Sequence, residues 1–159
     1  MKRLHLILTG AATAGTLALA TWAIQPEAAA EDVVFMGEPV TAEEIALGQE
    51  VYTANCASCH GRDLEGQPDW KRRLENGRMP APPHNETGHT WHHADSQLFT
   101  ITKFGVRAVV EDYESDMPAF QGVLTDAEIR AVIGFIKSTW PDRKRDFQAE
   151  VNGKGKVTP

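Results

Sequence analysis

The five residues Cys56-Ala57-Ser58-Cys59-His60 constrain this chain more than any other segment. They hold its only two cysteines, three positions apart, followed directly by a histidine. C-x-x-C-H is the pattern of covalent attachment of a c-type haem. The spacing has a chemical reason. Two thiols on one tight turn reach the two vinyl groups of a single porphyrin, and the next side chain falls beneath the iron as proximal ligand. Competing uses of the pair fit less well. A structural zinc site takes four Cys or His ligands, typically with a second such pair. A thioredoxin-like C-x-x-C wants a βαβ context, and no strand pattern is visible. A disulfide spanning two residues closes too short a loop to stabilise much.

The N-terminus reads as a targeting segment. Lys2 and Arg3 precede an uncharged apolar run from Leu4 to Ile24, and Ala28-Ala29-Ala30 supplies small residues for cleavage. The expectation is a signal peptide over residues 1–30. A run of 21 residues is also long enough to stay as a membrane anchor. Either outcome exports the rest, which suits haem attachment to paired thiols and a periplasmic location. Cleavage after residue 30 takes Lys2, Arg3 and Glu27 from 16 basic and 22 acidic residues, leaving 14 and 21. That acidic balance argues against nucleic acid or an anionic membrane surface as partner.

Residues 31–40 read as an extended lead-in and residues 41–140 as one helical domain. Thr41 and Glu44 form a capping box, and Ile45, Leu47, Gly48, Val51 and Tyr52 run as a helical stripe up to Cys56. Gly48 in mid-helix predicts close approach of another helix. Residues 61–83 are broken by Gly66, Pro68, Gly77, Pro80, Pro82 and Pro83, a stretch suited to wrapping a flat cofactor. Asp95 reads as the N-cap of a second helix of about ten residues that ends at Gly105. Thr125 and Glu128 form another capping box, opening a helix whose broad apolar face runs from Ile129 to Trp140. Residues 141–159 are expected to hold a short helix through Phe147 to Val151, then a polar tail from Gly153.

A haem iron held by His60 alone keeps an open sixth position. Met117, in Asp116-Met117-Pro118-Ala119-Phe120, is the expected ligand, because Pro118 stiffens the backbone beside it and biases it away from helix. A thioether favours reduced iron and raises the potential. Met79, in Met79-Pro80-Ala81-Pro82, is the weaker candidate, being only 19 residues beyond His60. A histidine in place of Met117 would lower the potential.

With these residues in view, the chain resembles a class I, monohaem c-type cytochrome over roughly Thr41 to Trp140. The resemblance is specific at Cys56, Cys59, His60 and Met117. Gly48 and Tyr52 are similar to the Gly and aromatic residue that the family packs against its last helix, and Val132 to Lys137 to its apolar-aromatic-Lys strip. The resemblance implies an all-α fold: a small bundle of three to five helices wrapped around one haem c bound through Cys56 and Cys59. It also implies that a proline carbonyl, Pro82 or Pro83, supports the His60 ring. Trp91 is similarly placed to a family tryptophan that donates to a haem propionate.

One loop departs from that pattern. His84, His89, His92 and His93 lie within ten residues. A metal site, a pH-sensitive patch, hydrogen bonding around the propionates and a plain polar loop are all open readings. The expected function is one-electron transfer between redox donor and acceptor proteins in a periplasmic or membrane-associated chain, without an enzymatic reaction. The protein would be a monomer unless it is a complex subunit. The alternatives are a haem subunit of a larger respiratory or metal-handling complex, or a haem enzyme or gas sensor with a labile sixth ligand.

Overall fold

The computed structural model describes residues 33–154. Its described elements are a two-residue hairpin, β1 (Val34–Phe35) and β2 (Glu38–Pro39), and five helices. These are α1 (Ala42–Asn55), α2 (Ala57–His60), α3 (Asp95–Phe104), α4 (Asp126–Ser138) and α5 (Asp142–Lys154). Single 3₁₀ turns precede and follow α3, at Thr90–His92 and Val106–Ala108. The all-α expectation holds, with the hairpin as its one exception. The targeting segment, residues 1–30, lies outside the described residues.

Both capping boxes form. The Glu44 amide donates to Thr41 Oγ1 at 3.2 Å while the Thr41 amide donates to Glu44 Oε2 at 2.8 Å. Thr125 and Glu128 repeat the arrangement at the start of α4. Two orphan donors are satisfied at each helix start.

α1 and α4 form the frame. A Cβ on Gly48 would sit 2.1 Å from the Ala131 carbonyl oxygen and 2.8 Å from Phe135 Cβ, so the two backbones touch where the mid-helix glycine predicts. Tyr52 packs one turn further on, its ring 5.6 Å from that of Phe135. Val51, Tyr52, Ile129, Val132, Ile133 and Ile136 are buried between the helices. Each such side chain contributes about 1.5–3 kcal/mol of transfer free energy. Leu47, counted in the stripe from sequence, is exposed.

From Val33 on, the lead-in is a structured hairpin. Met36 and Gly37, both at positive φ (53° and 90°), make the two-residue turn. Val33, Phe35 and Val40 enter the core. Arg130 fastens this unit: it donates to Glu44 at 2.7 Å, to the Phe35 carbonyl at 3.1 Å and to the Pro39 carbonyl at 2.7 Å. The missing strand pattern has a plain cause. Two residues per strand are too few for alternation to register.

Asp95 is not the N-cap of α3. Ala94 holds that position without a side-chain bond, and Asp95 is the first helical residue. Its buried carboxylate accepts from Lys137 Nζ (2.6 Å), Gln148 Nε2 (2.7 Å), the Met36 amide (2.8 Å) and Asn152 Nδ2 (3.0 Å). One side chain therefore ties the hairpin, α3, α4 and α5 together. Local capping chemistry lost to four long-range donors.

α5 is longer than the segment through Phe147 to Val151 suggests, and it reaches Lys154. Its Gln148 is 1% exposed and its Asn152 bonds twice to Asp95, so the helix is docked on the core up to the residue before the expected tail. α4 closes at Ser138, which leaves Trp140 beyond the helix, buried in the core.

Candidate haem site

Cys56 caps α1 and opens α2, so both cysteines and His60 share one tight turn. Cys59 is exposed and Cys56 half-buried. Burial, with a smaller contribution from Cys59, pushes the Cys56 thiol up to about 11. Gly61, at φ 82°, ends the turn, and Tyr52 Oη donates to its carbonyl at 2.9 Å.

The chain then doubles back under His60. The His84 and Asn85 amides both donate to the Leu64 carbonyl, the Gly66 amide donates to the His60 carbonyl, and the Gln67 amide to the Ala81 carbonyl. A Cβ on Gly66 would meet Pro83 N at 2.5 Å, so only glycine lets the two segments lie this close. Three consecutive carbonyls of the returning strap, those of Pro82, Pro83 and His84, then accept from side chains. His60 Nδ1–H donates to Pro82 at 2.8 Å, Thr90 Oγ1 to Pro83 at 3.4 Å, and Trp140 Nε1 to His84 at 2.7 Å.

The first of these bonds sets the chemistry of His60. A carbonyl only accepts, so Nδ1 carries the proton and Nε2 keeps its lone pair. Burial holds the ring's pKa below the ordinary 6.5, against the opposing effect of the Pro82 bond. The ring is thus a neutral imidazole with a free basic nitrogen, the form that ligates iron.

Met117 sits in a loop fixed on both sides of it. The Phe120 and Gln121 amides donate to the Thr102 and Lys103 carbonyls, two of the orphan acceptors at the end of α3. Arg78, next to Met79, pairs with Asp116. Met117 lines a cavity of about 320 Å³ together with Arg78, Phe104, Tyr113 and Ala119. Met79 is not among the cavity's lining residues.

The four loop histidines part company. His84 stacks on His60, ring centroids 3.9 Å apart and planes 25° from parallel. His89 stacks on Trp70 at 5.3 Å, and His92 on Trp91 at 3.8 Å. His93 Nδ1 meets Gln97 at 3.1 Å. Among the described residues no group of three His, Cys, Asp or Glu is placed to hold a free metal ion. Each ring found an aromatic or amide neighbour instead. Burial lowers the pKa of His84 well below 6.5, and those of His89 and His92 below it.

Two buried polar atoms in this loop lack a protein partner: Trp91 Nε1 and His89 Nδ1. Buried donors are normally satisfied, so an unpaired indole N–H implies an acceptor that is not protein. A haem propionate is such an acceptor. The residues present fit the group on three counts: paired thiols on one turn, a free imidazole nitrogen beside them and orphaned buried polar atoms. Sequence reasoning missed His84, Thr90 and Trp140 as site supports. Only the clustering of histidines pointed that way.

Comparison with known proteins agrees. The sequence model of the family described as cytochrome c matches residues 45–140, and the chain belongs to that family. Membership implies a covalent haem c, and the spacing of Cys56 and Cys59 fits one. Cytochrome c6 of Tetradesmus obliquus is 31% identical over 97 residues, 58% of this chain and 88% of that protein. Cytochrome c-555 of Prosthecochloris aestuarii is 29% identical over 83 residues, 48% of this chain and 84% of that protein. The cbb3-type cytochrome c oxidase subunit CcoP of Rhodobacter capsulatus is 30% identical over 104 residues, 64% of this chain. The match spans only 31% of the length of that subunit. No solved structure matches significantly.

Proposed function

We propose that the chain is a one-electron carrier holding one haem c through Cys56 and Cys59, with His60 and Met117 as axial ligands. The reading is carried by one observation: the His60 Nδ1–H···O=C bond to Pro82, which leaves the Nε2 lone pair of the C-x-x-C-H histidine available to a metal. When bound, the haem supplies an iron that alternates between Fe(III) and Fe(II), taking one electron from a donor and passing it to an acceptor. The chain's residues set the terms. The Pro82 carbonyl raises the basicity of His60. The Met117 thioether, soft and neutral, favours the reduced state and keeps oxygen and peroxide from the sixth position. Trp91 Nε1 and His89 Nδ1 supply polar contacts for the propionates.

The partners are redox proteins, met outside the cytoplasm after export directed by residues 1–30. The segment Leu4 to Ile24 either leaves with the signal or tethers the carrier to the periplasmic side of the membrane. No helix among the described residues is long and apolar enough to cross a membrane. The likeness to CcoP supports a second reading, a haem subunit of a larger respiratory complex. A haem enzyme has less support, since His84, the loop histidine nearest His60, lies on the axial ligand's own ring face.

Two measurements test the proposal. The isolated holoprotein should be low-spin in both redox states and indifferent to carbon monoxide. High-spin features and carbon monoxide binding would overturn Met117 ligation in favour of an open site. His60→Ala should fail to mature into a normal holoprotein. N-terminal sequencing and size analysis of the exported protein separate a free carrier from a complex subunit.

A further inference from the structure

His84 has no place in the reading above, yet its ring lies flat on that of His60. We propose that His84 is a positioning residue for the axial histidine: its imidazole, anchored by Thr90, stacks on His60 and fixes the plane in which that ring presents Nε2. The inference rests on His60 being the haem ligand.

One hydrogen bond, His60 Nδ1–H to Pro82, holds one corner of the ring but lets the ring rock about it. A second flat ring 3.9 Å away and 25° from parallel removes that freedom. The second ring is itself held on three sides. Its backbone amide donates to Leu64 at 2.8 Å and its carbonyl accepts from Trp140 at 2.7 Å. Its Nδ1 lies 2.8 Å from Thr90 Oγ1. The same hydroxyl also reaches the Pro83 carbonyl, at 3.4 Å. The turn behind the strap closes tightly, since a Cβ on Gly88 would sit 1.9 Å from the Pro83 oxygen. A space-filler would need none of this. An apolar ring fills the same volume without a buried polar nitrogen to satisfy.

The consequence lies in the potential. A well-aligned Nδ1–H···O=C bond makes the ligating imidazole more basic, which favours Fe(III) and lowers the potential. Freeing the His60 ring weakens that alignment and raises it.

The test compares holoproteins carrying His84→Leu, His84→Phe and Thr90→Val, read by reduction potential and by the haem methyl shifts in paramagnetic proton NMR, which report the axial imidazole plane. His84→Leu should raise the potential and reorder the methyl shifts. His84→Phe, which keeps a ring on a pinned backbone but loses the Thr90 anchor, should move less than His84→Leu and about as far as Thr90→Val. Thr90→Val should move in the direction of His84→Leu, by less. Parent-like potential and shifts in His84→Leu, or a His84→Phe protein displaced as far as His84→Leu, overturn the proposal. If His84→Leu yields no holoprotein, unchanged shifts in Thr90→Val do so. His60→Ala is the control. If that variant matures with a parent spectrum, the ligand assignment itself fails. If it does not mature while His84→Leu behaves as the parent, only the role of His84 falls.

Discussion

Lys137 Nζ lies 2.6 Å from Asp95 Oδ1, with the two side chains 3% and 4% exposed. The pair joins α4 to the start of α3, and Gln148, Asn152 and the Met36 amide complete the shell around the carboxylate. Such a pair stands only because each remaining lone pair has a donor. Replacing Asp95 with Ala strands a buried ammonium and should destabilise the holoprotein by about 3–5 kcal/mol. The double variant Asp95→Leu/Lys137→Met should recover part of that loss. Urea unfolding of the two holoproteins checks both statements. Equal stability of Asp95→Ala and the parent would refute the role of the pair.

The contact between α1 and α4 allows no side chain at Gly48. Gly48→Ala forces its new methyl onto a backbone carbonyl, which cannot swing away as a side chain would. The helices must part, at a cost of about 1–3 kcal/mol or more. An exposed control, Ala46→Gly, should cost about 1 kcal/mol through helix propensity alone. Thermal unfolding of both variants tests the difference, which vanishes if the interface adapts.

Met117→Ala should leave haem attached through Cys56 and Cys59, open the sixth position, lower the potential and admit carbon monoxide. Met79→Ala should change none of these. Optical titration with carbon monoxide, with potentiometry, distinguishes the two methionines. The same result from both variants, or from neither, would remove Met117 as the ligand.

The capping boxes give the fold a pH dependence of known sign. The Glu44 carboxyl lies below its ordinary 4.5, because the Thr41 backbone amide and then the Arg130 side chain bond to its anion. Glu128 moves the same way through the Thr125 amide and hydroxyl. A lowered native pKa means that the unfolded chain binds the proton more readily in the window between the two values. The stabilisation is therefore complete above 4.5 and is lost as the pH falls through the lower native value. Urea midpoints measured from about pH 6 down to about pH 3 should fall more gently for Glu44→Gln/Glu128→Gln than for the parent. A parallel fall would show that other carboxylates govern acid unfolding.

Much of the frame was legible because its signals are local. The capping boxes at Thr41 and Thr125 are made by residues three apart, and Gly48 announced a close neighbour by its own poor helix propensity. The haem-binding turn is local too. Asp95 failed as a cap because its partners, Lys137, Gln148, Asn152 and Met36, are dispersed along the chain and meet only in the fold.

The sequence by itself determined the haem motif, the helical class and the capped starts of α1 and α4, since each follows from chemistry within a few residues. Tertiary structure decided everything that depends on which distant groups come into contact. It chose Pro82 over Pro83 as the acceptor for His60, because only one of the two carbonyls lies where the ring nitrogen reaches. It dispersed the four histidines and laid His84 on His60. It left Trp91 Nε1 buried without a protein partner. Hydrogen bonds and ring stacks act over a few ångströms, and residues far apart in the chain come that close only after the backbone has folded.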